Sequence, residues 1–130
     1  MKKQKSLPQL KKELQVVFNK YIRQRDEGLP CISCGNYISN CQAGHYFSVK
    51  GYDGLRFDED NVHAECEYDN CFNESHLIGY GINLKARIGE DKYNALLERA
   101  ADYKRIGYKF SRTELIEKIA YYKKLITNNT

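Results

Sequence analysis

The residues that could do chemistry begin with a pair of cysteines. Cys31-Ile32-Ser33-Cys34-Gly35 is a C-x2-C turn closed by a glycine. Two thiolates at this spacing can share one metal ion, and the glycine relieves the backbone behind the second ligand. Such a turn supplies half of a tetrahedral site. Cys66 is the obvious third ligand. The fourth is either Cys71, at C-x4-C spacing, or Asp69, which stands where a C-x2-C partner would be and whose carboxylate oxygen can ligate zinc. Thiolate is the better zinc ligand, so chemistry slightly favours Cys71. Cys41 has no partner by spacing and is expected to pack as a small apolar residue. Five cysteines, an odd count, follow an N-terminus with no apolar leader, which argues for metal rather than disulfides.

Between the two halves lie His45, Asn61 and His63, with Asn70 just after Cys66. A metal site that closes over so long a loop holds the loop's contents rigid. His45 follows a glycine that would give a ligand room, and a neutral imidazole there could take a proton from water near pH 7. Taken singly, a histidine is more often a hydrogen-bonded structural group. Asn61 could staple its turn back onto the His45 loop. Asn70, expected at the start of a helix, could hold a divalent ion through its amide oxygen or simply cap the helix.

These residues need elements to position them. Ser6 and Gln9 form a capping-box pattern, and Leu10, Leu14, Val17, Phe18 and Tyr21 recur at helical spacing, so residues 6–27 read as a helix stopped by Gly28-Leu29-Pro30. Short strands are expected at His45–Ser48 and Leu55–Phe57, joined by Val-Lys-Gly-Tyr-Asp-Gly. A helix is expected from about Asn70–Ser75 to Arg87, another after Gly89, and a last one from Ser111 to about Ile126. Ser111 and Glu114 repeat the capping-box pattern there, and Leu115, Ile119, Tyr122 and Ile126 form its stripe. The expected fold is α+β, a ββα centre between helices. The 130 residues suit a single domain: a basic N-terminal helix over 1–28, a metal-braced core over 29–88 and a C-terminal helical region over 89–130.

Charge is segregated. Residues 1–27 carry 8 Lys and Arg against 3 Asp and Glu, residues 28–80 carry 2 against 8, and residues 81–130 carry 11 against 6. Basic flanks around an acidic, metal-binding middle fit a protein that grips a polyanion, although solvated helix faces would look the same. No apolar run is long enough to span a bilayer, so the expectation is an intracellular, cytoplasmic protein.

The order of C-x2-C turn, Gly-His, Asn, second half-site and Asn resembles the HNH (ββα-metal, His-Me finger) nucleases. The segments "RQRDEGLPCISCG", "AGHY", "LRFDEDNVHAEC" and "RIG" are similar to the NinG (Rap) family of phage recombination endonucleases, over roughly residues 15–126. That resemblance implies a metal-dependent endonuclease that cuts branched DNA such as Holliday junctions and D-loops in a bacterial host. It assigns His45 as general base, Asn61 as the central Asn, and Cys31, Cys34 and Cys66 as zinc ligands.

The family reads C-x2-C-N at the second half-site. Without gaps, Asp69 replaces the cysteine and Asn70 keeps the place of the catalytic-metal ligand. With a two-residue slip, Cys71 keeps the zinc and Asn73 approximates the metal ligand. Gly44 replaces the acid that usually precedes the histidine, so few protein groups would hold the catalytic Mg²⁺ or Mn²⁺. Phosphate contacts are expected from Lys11, Lys12, Lys20, Arg23 and Arg25 at one end. Lys104, Arg105, Lys109, Arg112, Lys123 and Lys124 are the candidates at the other. A near-two-fold junction makes a homodimer plausible, with the final helix and its Tyr121-Tyr122 pair as interface. Two rival readings fit the same residues: an HNH nickase acting on duplex DNA, and a non-catalytic zinc module that binds branched DNA.

Overall fold

A computed structural model describes residues 4–71 and 75–128. Its order is α1 (Leu7–Arg25), β1 (Gln42–His45), a 3₁₀ turn (Asp53–Leu55), β2 (Val62–Glu65), α2 (Glu67–Cys71), α3 (His76–Ile88), α4 (Glu90–Ile106) and α5 (Arg112–Asn128). This is α+β: five helices around a two-stranded antiparallel ribbon, among the described residues.

Helix α1 starts where its cap dictates. The Ser6 hydroxyl accepts from the Gln9 N–H, and the Gln9 side chain accepts from the Ser6 N–H, which satisfies two of the orphan donors of the first turn. Leu10, Leu14, Phe18 and Ile22 are buried along one face, while Val17 and Tyr21 flank it half-buried. Helix α5 buries Leu115, Ile119, Tyr122 and Ile126, as its period predicts, and the first three join the same cluster. Ser111 accepts from the Glu114 N–H, but the Glu114 carboxylate turns away to accept from Tyr108, so only half of that capping box forms. The Phe18 and Tyr122 rings meet edge to face at 5.0 Å, and Tyr21 and Tyr122 both donate to Glu59 at 3.0 Å. Each fully buried large side chain contributes about 1.5–3 kcal/mol, so this interface anchors one side of the ribbon.

The other side is a second apolar cluster. Ile32, Leu55, Tyr80, Leu84, Leu96 and Ala100 draw α3 and α4 onto the ribbon and the 31–34 turn. The ribbon between them pairs Gln42 with Glu65, Ala43 with Ala64, Gly44 with His63 and His45 with Val62.

The strands are not the expected ones. His45 ends β1 rather than beginning a strand, and its partner is 62–65, not 55–57. Leu55 and Phe57 are buried in different clusters because the chain makes a helical turn there, so their alternation is not that of a strand face. All four residues of β2 are buried, which hides the period-two signal. The expected helix from Asn70–Ser75 to Arg87 is two elements, α2 and α3, and Asn70 lies inside α2 rather than at a helix start. Asn73 lies outside the described residues.

Candidate active site and metal centre

The 31–34 turn and the start of α2 bring four ligands together. One donor atom each from Cys31, Cys34, Cys66 and Asp69 lies within 4.8 Å of all the others. Asp69 Oδ2 is 2.9 Å from Cys66 Sγ and 3.5 Å from Cys31 Sγ. The N–H groups of Cys34 and Cys66 point at Cys31 Sγ from 3.5 and 3.3 Å, as they would toward a thiolate. Burial, then the neighbouring Asp69, pushes the Cys66 thiol up, so ionising this set requires a cation to take the charge. Three soft sulfurs, one carboxylate and a count of four fit tetrahedral zinc.

Cys71, favoured above on ligand chemistry, is outside the group. It is exposed, with its Sγ 3.5 Å from Gln42 Oε1. Helix geometry explains the correction: residues i and i+3 share a face, whereas i+5 is rotated by about 140° from i. Cys41 also stands apart, half-buried, its Sγ 3.4 Å from the Ile38 carbonyl.

His45 closes β1. Its Nε2 is 2.9 Å from the Arg56 carbonyl, which accepts only, so Nε2 carries the proton and the neutral ring leaves Nδ1 as its lone-pair nitrogen. Burial lowers the pKa of His45. The carbonyl bond opposes that shift and the Arg56 charge reinforces it. The ring is therefore held neutral, as a base must be.

Asn61 staples the loop. It is fully buried, accepts from the Phe47 N–H at 2.8 Å and donates to the Phe47 and Leu55 carbonyls at 3.1 Å each. Those bonds tie the residues after His45 to the 3₁₀ turn that supplies its carbonyl partner. Asn70 donates from Nδ2 to Gln42 Oε1 at 2.6 Å, bringing two amide groups side by side at the start of β1.

Glycine 44 has a different use from the one its place before His45 suggests. Its missing side chain makes room for Glu65, whose Oε1 and Cβ would collide with any added Cβ. Glu65 is fully buried and accepts from Ser33 Oγ and from His76 Nδ1, the latter at 2.7 Å. It thus links the 31–34 turn, β2 and α3 beneath the His45 strand. The sequence shows no local signal for Gln42, Glu65 or His76, since their partners lie 11–32 residues away and become visible only with the ribbon's register.

The basic candidates divide into two groups. Arg25 is a brace: it chelates Asp26 and donates to the Glu59 and Val62 carbonyls, so it is not free to hold phosphate. Its partner Asp26 would be raised by burial, yet Arg25 and the Ala64 N–H hold its pKa down. Lys123 pairs with Glu13, Arg105 with Asp102, and Arg112 donates to the Lys5 carbonyl. Lys11 bonds Asp53 at 2.9 Å. Lys12, Lys20, Arg23, Lys104, Lys109 and Lys124 are exposed.

No described helix is long and apolar enough to cross a membrane. No solved structure matches the chain. The curated relatives are phage proteins. Protein ninG of Salmonella phage P22 is 38% identical over 115 residues, covering 88% of this chain and 55% of that protein. Protein ninG of Escherichia phage lambda is 41% identical over 81 residues, 62% of this chain and 40% of its own length. That of Escherichia phage 933W is 42% identical over the same length, with the same coverage. The chain thus spans about half or less of these relatives. The family described as Bacteriophage Lambda NinG protein matches residues 1–129, and the chain belongs to that family.

Proposed function

We propose that the chain is a metal-dependent endonuclease of the HNH (ββα-metal) type that hydrolyses phosphodiester bonds in branched DNA. The observation that carries this reading is the His45 Nε2–H bond to the Arg56 carbonyl, which fixes the tautomer and leaves Nδ1 to act as base. His45 Nδ1 takes a proton from water, the hydroxide oxygen bonds to phosphorus in line, and the bond from phosphorus to the 3′-oxygen breaks. The leaving oxygen collects a proton from solvent, giving 5′-phosphate and 3′-hydroxyl ends. Asn61 keeps the His45 loop and its carbonyl partner in register.

The Cys31, Cys34, Cys66 and Asp69 group is read as a structural zinc site. Through Ser33 and Glu65, closing that group fixes β2 and with it the paired strand that ends in His45. A catalytic Mg²⁺ or Mn²⁺, when bound, supplies charge neutralisation at the phosphate. Asn70 offers a hard amide oxygen for it. Water and the substrate phosphate would complete the coordination.

Exposed Lys12, Lys20, Arg23, Lys104, Lys109 and Lys124 would hold backbone phosphates without reading bases. The preference for branched DNA, and action in the cytoplasm of a bacterial host, rest on family resemblance. A homodimer would use the outer face of α5, where Tyr121 is 54% exposed while Tyr122 is spent inside.

The sparse ligand set at Asn70 favours one second reading, a zinc-braced module that binds branched DNA without cutting it. Incubating the protein with a labelled four-way junction and a matched duplex, in Mg²⁺, Mn²⁺ or EDTA, separates the readings. Metal-dependent cuts confined to the junction support the proposal. Equal cutting of duplex makes it a nickase, and binding with no product under any metal supports the module.

A further inference from the structure

We infer that Arg56 is the residue that binds the scissile phosphate beside His45; this rests on the nuclease reading above. Three observations lead there. First, the Arg56 carbonyl accepts from His45 Nε2, which places the two residues side by side. The Arg56 charge also acts on the His45 ring.

Second, its guanidinium is held but not consumed. Nε donates to Gln15 Oε1 at 2.6 Å and the group lies over the Phe57 ring at 5.5 Å, which fixes its plane. One terminal nitrogen faces Asp53 at 3.9 Å, beyond hydrogen-bond length, and neither terminal nitrogen makes a hydrogen bond among the described residues. The side chain is 25% exposed, so the group is not sealed from solvent. Arg25 and Arg99, in contrast, are committed to carboxylates, Arg25 to Asp26 and Arg99 to Asp58 and Asp60.

Third, the two basic flanks of the sequence converge on this turn. Lys11 of α1 bonds Asp53, and Lys104 of α4 lies over the Tyr52 ring at 4.9 Å. Lys11 and Arg56 share the Asp53 carboxylate, so that one negative charge does not neutralise both. A pre-oriented guanidinium fork fits two non-bridging phosphate oxygens, and its bonds strengthen as negative charge builds on them in the transition state.

The test is single-turnover cleavage of a four-way junction by wild type, Arg56→Ala and Arg56→Lys, with junction binding in EDTA and thermal melting measured in parallel. Arg56→Ala should lose roughly 10²–10³-fold in cleavage rate, the scale of a lost transition-state donor. Arg56→Lys should recover only part of this. Guanidinium ion, at concentrations that leave the melting temperature unchanged, should partly rescue Arg56→Ala, a response that a purely structural role would not give. Wild type that cuts while Arg56→Ala cuts equally well overturns this assignment alone. A loss matched by early melting, with no rescue by guanidinium, also overturns it alone. Wild type that cuts nothing under any divalent ion overturns the nuclease reading and this assignment together.

Discussion

Replacing Gly44 by alanine tests the packing beneath the His45 strand. The added methyl would stand 2.9 Å from Glu65 Cβ and closer still to Glu65 Oε1. Glu65 cannot swing aside cheaply, since it is fully buried and its other oxygen is bonded by Ser33 and His76. Either the ribbon opens or the carboxylate leaves its partners. Overpacking costs about 1–3 kcal/mol, and weakening hydrogen bonds to a buried charge costs about 1.5–3 kcal/mol more. We expect a net loss of about 3 kcal/mol. With an unfolding entropy of about 2.1 cal/mol/K per residue over 130 residues, the melting temperature should fall by about 11 °C. Thermal and urea unfolding of the metal-loaded protein measure this. The double variant with Glu65→Ala should be less unstable than the two single losses added together, because the closer clash, with Oε1, has been removed and only the Cβ contact remains, with a coupling of about 1–3 kcal/mol. A Gly44→Ala protein within about 0.5 kcal/mol of wild type, or strict additivity in the double variant, would refute this account of the strand.

Three further predictions concern acid, metal and rate. Burial pulls the His63 pKa down to about 3 from an ordinary 6.5, so the unfolded chain takes up the proton first as pH falls. Its contribution is complete above pH 6.5 and is lost below it at about 1.4 kcal/mol per pH unit; urea titrations from pH 7 to 5 should show the slope, and His63→Gln should flatten it. Metal analysis should find about one zinc per chain, retained in Cys71→Ala and lost in Asp69→Ala. The opposite pattern would restore Cys71 as the ligand. Because burial lowers the His45 pKa, the acid limb of the cleavage rate should lie below pH 6.5, and a limb at or above 6.5 would mean that the ring is not held neutral.

The helices were the legible part. A capping box followed by an i, i+4 stripe states where α1 begins and which face it buries, and the structure follows it at Ser6, Leu10, Leu14 and Phe18. The ribbon was not legible. Its second strand carries His63 and Glu65 toward the interior, held there by long-range partners, so no alternation separates inside from outside. The Leu55-Arg56-Phe57 alternation pointed to a strand, yet Leu55 and Phe57 enter separate clusters around a helical turn. The metal group was legible as a half-site plus Cys66. Its fourth member depended on a five-residue helix whose geometry outweighs the chemical preference for sulfur. Arg25 read as a surface cation because two of its four hydrogen bonds go to carbonyls that lie 34 and 37 residues away.

The most direct test of the central claim is the single-turnover cleavage rate of a four-way junction by His45→Ala, set against wild type, with junction affinity measured in EDTA for both. The account predicts metal-dependent cutting by wild type and a loss of roughly 10²–10⁴-fold in His45→Ala, the scale of a removed general base, at unchanged affinity and fold. A His45→Ala protein that cuts at the wild-type rate, or a wild type that binds the junction and never cuts it, would contradict the claim that this histidine is the base of a nuclease.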